Sequence, residues 1–197
     1  MGAVRSAVTI ARPWTGGVPG IPSGANSTIP PPHPRGYTLF GQSAGAAPVD
    51  ATDWNPSVAW TAGGLTSTAR DLLAFGRAMG TGKGLLPPEQ QAERLDSLLP
   101  EPGKPEAGYG LGLMGMRDWI GHTGEIPGFT ATLFYHPGLQ ATVVVLVNSD
   151  IASGACPPRV PTLADNRRDR PCEAPANLIN AALADALGKP VPPPPTP

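Results

Sequence analysis

The sequence predicts an α+β fold in which an antiparallel sheet is flanked by helices. Helical periodicity occupies Leu65 to Gly80 and Pro87 to Leu99 and returns at Pro175 to Leu187. Between them, from Tyr109 to Val147, stand short apolar runs separated by turn residues, the pattern of strands joined by hairpins. A chain of 197 residues with 40% apolar composition is long enough to bury one core, so one globular unit is expected.

Residues 1–35 carry neither helical nor alternating periodicity, and Pro30-Pro31-Pro32 enforces an extended run, so this segment is expected to be irregular and poorly ordered. The domain proper is expected over 36–189, with a proline-rich tail over 190–197. Ser67 or Thr68 can cap the first helix, Asp71 can complete a capping box with Thr68, and Leu72, Phe75 and Met79 share one face. Gly80 and Gly82 end it. Pro87-Pro88-Glu89 opens a second helix, whose inward positions are expected to include Ala92, Leu95 and Leu99.

Four strands follow, at Tyr109 to Met116, Trp119 to Thr123, Phe129 to Tyr135 and Thr142 to Val147, and consecutive runs with short turns make an antiparallel meander. Val143 to Val147 is apolar at every position, which predicts a strand covered on both faces and central in its sheet. That expectation exposes a shortage. The strands of this chain supply neighbours for only one of its edges, and an open apolar edge invites aggregation. In the last helix Leu178, Ile179, Ala182, Leu183, Ala186 and Leu187 form a stripe expected to pack on the sheet, and Gly188 and Pro190 mark its end.

Charge argues against some functions. Fourteen basic residues against 15 acidic leave no field that would draw a polyanion, so nucleic acid is not an expected partner. No apolar run reaches the roughly 18 residues of a membrane span. Ala7 to Ala11 is shorter than the roughly 7 to 15 apolar residues of a signal peptide. The 27 prolines and 25 glycines gather in Pro13 to Pro34, Cys156 to Pro175 and Pro190 to Pro197, which read as loops or tails. Cys156 and Cys172 bracket one of them. A disulfide there would remove about 3 kcal/mol of loop freedom in the chain-entropy model and would imply an oxidising, extracytoplasmic compartment. The competing readings are two free thiols or, less favoured for want of a neighbouring His or further Cys, a metal pair. His33 and His136 lie in proline-rich and turn contexts and read as surface residues.

The order of segments resembles the serine β-lactamase and D-alanyl-D-alanine carboxypeptidase family, penicillin-binding and class C-like, with its esterase relatives. The points of likeness are Pro34-Arg35-Gly36-Tyr37, Ala62 to Leu72, Gly108-Tyr109-Gly110-Leu111-Gly112, Gly121-His122-Thr123-Gly124-Glu125-Ile126-Pro127-Gly128-Phe129 and Val143 to Asn148. The resemblance implies a partial β-lactamase/transpeptidase-like fold whose N-terminal strands and most of whose helical domain are absent from this chain. It also implies acyl-enzyme chemistry built from three motifs: Ser-x-x-Lys, Tyr-x-Asn and a Lys/His-Thr/Ser/Gly-Gly wall.

His122-Thr123-Gly124 fits the third motif. By that match His122 supports electrostatics and proton movement, Thr123 contacts the substrate, Gly124 keeps the strand clear for it, and the backbone N–H of Glu125 donates to the oxyanion. Glu125 itself departs from the small or hydroxylated residue often found there, which counts against substrates with a free carboxylate.

The first two motifs are missing. No serine is followed three places later by lysine, and none of Tyr37, Tyr109 and Tyr135 precedes asparagine by two. The expectation is therefore a piece of a serine hydrolase, inactive alone, whose full form acts on a small-molecule, peptide or β-lactam substrate without metal or organic cofactor. Two other readings compete with it: a non-catalytic module that binds cell-wall peptide or a protein partner, and a decayed remnant.

Overall fold

The computed structural model describes residues 28–29, 31–43, 45–101, 104–154, 156 and 172–192. Most of the proline-rich segments expected at 1–35 and 190–197 lie outside these residues. At its centre is a six-stranded antiparallel meander in the order β3-β4-β5-β6-β7-β8. Its strands are β3 (Leu99–Glu101), β4 (Lys104–Tyr109), β5 (Met114–Met116), β6 (Trp119–Ile126), β7 (Phe129–His136) and β8 (Ala141–Val147). From β4 onward each strand pairs with the one before it, with a register irregularity in β3 between Pro100 and Glu101.

The run from Tyr109 to Met116 is two strand ends rather than one strand. Gly110 to Leu113 forms a turn, closed by the Gly110 N–H donating to Leu113 O at 3.0 Å, with Gly112 at φ 63°. A left-handed φ at that corner suits glycine.

Two helices sandwich the sheet. Helix α1 (Trp60–Gly63) is a single turn that precedes α2 (Ala69–Thr81). Thr68 caps α2 by accepting from the Asp71 N–H at 3.1 Å, as the capping-box reading expects, whereas Ser67 turns its hydroxyl toward Thr68 O. Helix α2 lies on the face of Leu133, Tyr135 and Thr142. Its glycines permit the approach, since a Cβ on Gly76 would stand 2.5 Å from Thr142 Cγ2.

Helix α4 (Pro175–Ala186) covers the opposite face, where Ala184 joins Trp119 and Phe134 in the core with Met114, Met116 and Val143 around them. Its inward row is Ala176, Asn180 and Ala184, not the leucine stripe; Ile179, Leu183 and Leu187 are 43–47% exposed. Small residues let the helix lie close to the sheet, and the larger apolar side chains are left outside.

Helix α3 (Pro88–Asp96) is turned relative to its expected phase. Ala92 and Leu99 are exposed and Gln91 is buried. The reason is polar. Gln91 Nε2 donates to Met79 O and Gly80 O, satisfying two carbonyls at the end of α2.

Strand β8 has helices on both faces, as its composition predicts, but it is not central. Among the described residues only β7 pairs with it, and it forms the end of the sheet with Leu146 47% exposed. Its continuation is met by the segment around β1 (Tyr37–Thr38), whose Tyr37 N–H donates to Asn148 O. Strand β1 pairs with β2 (Val49–Asp50). There Arg35 and two donors of Thr52 hold Asp50, and these bonds, the Thr52 hydroxyl first, draw its carboxyl down to about 2.

His136 is also not a surface residue. It is 2% exposed, stacked edge-on to Trp119, with Nδ1 accepting from the Leu139 N–H. Its turn belongs to the core end of β7.

Cys156 and Cys172 are joined in a disulfide. It stands beside the short pair β9 (Ser153–Gly154) and β10 (Cys172–Glu173), and Glu173 Oε1 then accepts from Ala174 N–H and Asn177 Nδ2 at the start of α4.

Candidate functional site

Strand β6 carries His122, Thr123, Gly124 and Glu125 in its second half. Strand β5 pairs only with Trp119 to Gly121, so from His122 onward the edge of β6 away from β7 has no strand partner among the described residues. Alternate backbone N–H and C=O groups along such an edge stay available to a ligand. The Glu125 N–H lies within this open stretch.

Successive side chains of a strand point to opposite faces. His122, opposite Leu133, and Gly124, opposite Ala131, belong to the α2 face; Thr123, opposite Thr132, and Glu125, opposite Thr130, belong to the α4 face. The Thr123 hydroxyl meets Met114 Sδ at 3.7 Å, a weak acceptor. The sequence motif thus divides: imidazole and bare backbone on one side, hydroxyl and carboxyl on the other.

Glu125 occupies an electrostatically awkward place. Partial burial, joined by the negative charges of Asp150 and Glu173, pushes its carboxyl up to about 7. Asp150 is 2% exposed, with Oδ2 taking the Thr38 hydroxyl at 2.8 Å and Oδ1 without a hydrogen-bond partner. Among the described residues no three His, Cys, Asp or Glu side chains are grouped to hold a metal ion.

The residue that sequence reasoning passed over is Tyr109. Tyr109 Oη lies 3.0 Å from His122 Nε2, and the two rings meet edge-on with centroids 5.6 Å apart. Its neighbours in the Gly108 to Gly112 segment carried the only signal, and no spacing rule ties a tyrosine 13 residues upstream to a histidine.

The expectation that the sequence holds no Gly-x-Ser-x-Gly elbow is wrong as to the letters: Gly41-Gln42-Ser43-Ala44-Gly45 has that spacing. An elbow needs a strand running into a helix. Here Ser43 is exposed in the connection between β1 and β2, flanked by Gly41 and Gly45 at φ 73° and 82°. The match has the letters without the setting.

Residues 24–157 match the Beta-lactamase family, more than half of the chain. The chain belongs to that family. Solved structures agree in fold. A D-stereospecific amidohydrolase from Streptomyces sp. is 32% identical over 66% of this chain and 38% of its own, with a TM-score of 0.58. The D-amino acid amidase from Ochrobactrum anthropi SV3, complexed with L-phenylalanine amide, is 30% identical over 64% of this chain and 38% of its own, with a TM-score of 0.52. The same amidase complexed with L-phenylalanine matches over 83% of this chain and 45% of its own, at 28% identity and a TM-score of 0.55. This family member therefore spans about two fifths of the length of the solved relatives it matches. Its relatives are hydrolases by name, and its helix-sheet-helix layering is that of a partial β-lactamase/transpeptidase-like α+β fold.

Proposed function

We propose that this chain forms the substrate-side wall of an acyl-transfer site in a serine hydrolase that acts on amides of D-amino acids or short peptides. The observation that carries the reading is the open edge of β6, where the His122-Thr123-Gly124 segment stands next to unpaired backbone. An extended substrate can lie along that edge, with its carbonyl oxygen toward the Glu125 N–H. His122 supports proton movement beside it. Thr123 reaches the substrate by releasing Met114 Sδ, an inexpensive exchange because sulfur accepts weakly. The D-amino acid preference rests on the names of two relatives near 30% identity.

The nucleophile and its base belong, in this reading, to a part of the fold that the 197 residues do not supply. The sequence has no Ser-x-x-Lys and no Tyr-x-Asn. Two surfaces support the reading: the edge of β8 that has no strand partner among the described residues, and the outward apolar row Ile179, Leu183 and Leu187 on α4. The reaction would form an ester between the missing serine and the acyl group, release the amine, and hydrolyse the ester with water. The disulfide favours an oxidising, extracytoplasmic compartment for the parent enzyme. No described helix is long and apolar enough to cross a membrane.

The test is intact-mass spectrometry of the purified chain after exposure to a fluorescent penicillin and, separately, a fluorophosphonate. The expected result is no adduct on the chain alone, and one adduct per molecule once an upstream segment bearing Ser-x-x-Lys is restored. A stoichiometric adduct on the isolated chain, at Ser43 or elsewhere, overturns the reading. Ligand binding by the isolated chain with no acylation after restoration would instead establish a non-catalytic module.

A further inference from the structure

His122 is held at both ring nitrogens. Nδ1 lies 2.5 Å from Thr123 O, a carbonyl oxygen that can only accept, so Nδ1 carries a proton. In the neutral ring Nε2 is then the acceptor, and the group that faces it, 3.0 Å away, is the Tyr109 hydroxyl. We infer that Tyr109 is a positioning residue for His122: its phenol donates to Nε2, fixes the ring plane, and holds the Nδ1–H tautomer at the wall of the site. The inference rests on the reading of His122 as part of that wall.

The aim of Tyr109 is built rather than incidental. Tyr109 is the last residue of β4, and the turn that follows is clamped to the end of α3. The Leu111 N–H donates to Ser97 Oγ at 2.8 Å, Ser97 Oγ donates to Arg94 O, and Arg94 Nε donates to Leu111 O. Gly110 sits against Ser97 so closely that a Cβ would stand 2.6 Å from Ser97 O. The phenol, though 48% exposed, thus leaves a turn fixed from behind and lies edge-on to the imidazole.

This pairing specifies a substrate chemistry. A lysine at the His122 position would offer a permanent cation to a substrate carboxylate. An imidazole whose Nε2 is already engaged by a phenol offers no such point charge, while the phenolic oxygen keeps lone pairs that accept an amide N–H. The wall is therefore suited to uncharged groups beside the scissile bond, carboxamides in particular, and not to a free carboxylate.

The test is the imidazole nitrogen spectrum of His122 in the 15N-labelled 197-residue chain at pH 8, assigned with His122→Asn and compared with Tyr109→Phe. The wild-type chain is expected to show a protonated Nδ1 and an unprotonated Nε2 whose resonance lies upfield of a water-exposed lone pair. In Tyr109→Phe, which keeps the ring contact and loses only the hydroxyl, the upfield displacement is expected to vanish while distant backbone amides stay in place. A protonated Nε2 in the wild type overturns the inference without recourse to any variant. An unchanged Nε2 resonance in folded Tyr109→Phe overturns it as well. Neither readout depends on acylation, so this failure and a failure of the hydrolase reading are told apart.

Discussion

The side-chain amide of Gln91 donates to the carbonyl oxygens of Met79 and Gly80 at 3.1 and 3.3 Å, so that α3 caps the end of α2 from outside the helix. Both carbonyls stand in the last turn of α2, where no further residue of the helix donates to them. Gln91→Ala should leave them unsatisfied in a site that Gln91 now fills at 6% exposure, and should cost about 2 kcal/mol. Gln91→Glu, which keeps the shape and loses the donors, should cost at least as much. Urea unfolding midpoints followed by circular dichroism check both.

Gly80 stands where α2 passes Tyr135, and a Cβ added there would collide with that residue's Cβ, Cγ and Cδ1. Alanine would raise helix propensity by about 1 kcal/mol. Overpacking against a ring buried at 3% exposure costs about 1 to 3 kcal/mol and should win. Gly80→Ala is expected to lower the unfolding midpoint. A raised midpoint would mean that α2 rides farther from the sheet than described.

Glu125, held up to about 7 by burial and the charges of Asp150 and Glu173, gives stability a pH dependence of definite sign. Its native carboxyl holds a proton more tightly than the unfolded one, so its contribution is fully present below about 4.5 and is lost as pH rises through 7. Each pKa unit corresponds to about 1.4 kcal/mol at full strength. Because Glu125 is exposed at the surface despite the carboxyl's partial burial, solvent screening should reduce the total to about 1 kcal/mol. Glu125→Gln should therefore match the wild type at pH 4 and exceed its stability at pH 8, measured as paired melting curves.

The Cys156–Cys172 bond closes a loop of sequence separation 16, next to Glu173, whose carboxylate accepts from the Ala174 N–H at the start of α4. Replacing both cysteines by serine should cost about 3 kcal/mol in the chain-entropy model. The loss should appear first as faster amide exchange at the start of α4. The double variant in the presence and absence of reductant should behave identically, whereas the wild type should not.

The sequence made the sheet legible and left its borders obscure. Thr68 to Asp71 and the turns between β5, β6, β7 and β8 are local signals, written within a few residues, and they were readable. Gln91 and Ile179 were not. Helical periodicity places an apolar face toward whatever is apolar nearby, but α3 turns inward on a hydrogen-bonding demand set by α2. In α4 the inward row is chosen by closeness, which favours Ala176 and Ala184 over leucine. The composition of Val143 to Val147 correctly reports two covered faces and says nothing of edges, because an edge is a property of the neighbouring strand. The Tyr109–His122 hydrogen bond was not readable, since two turns and the strand β5 separate its partners in sequence.

In the meander each strand finds its partner in the strand just before it, so the search for native pairings covers short stretches of chain. Sheets with such local wiring condense early, because little loop entropy is surrendered per contact. Among the described residues no strand pairs with the far edge of β8, and a strand brought there from elsewhere in a polypeptide would close a longer loop and join later. The meander would then stand as a prefabricated platform before any such strand docks.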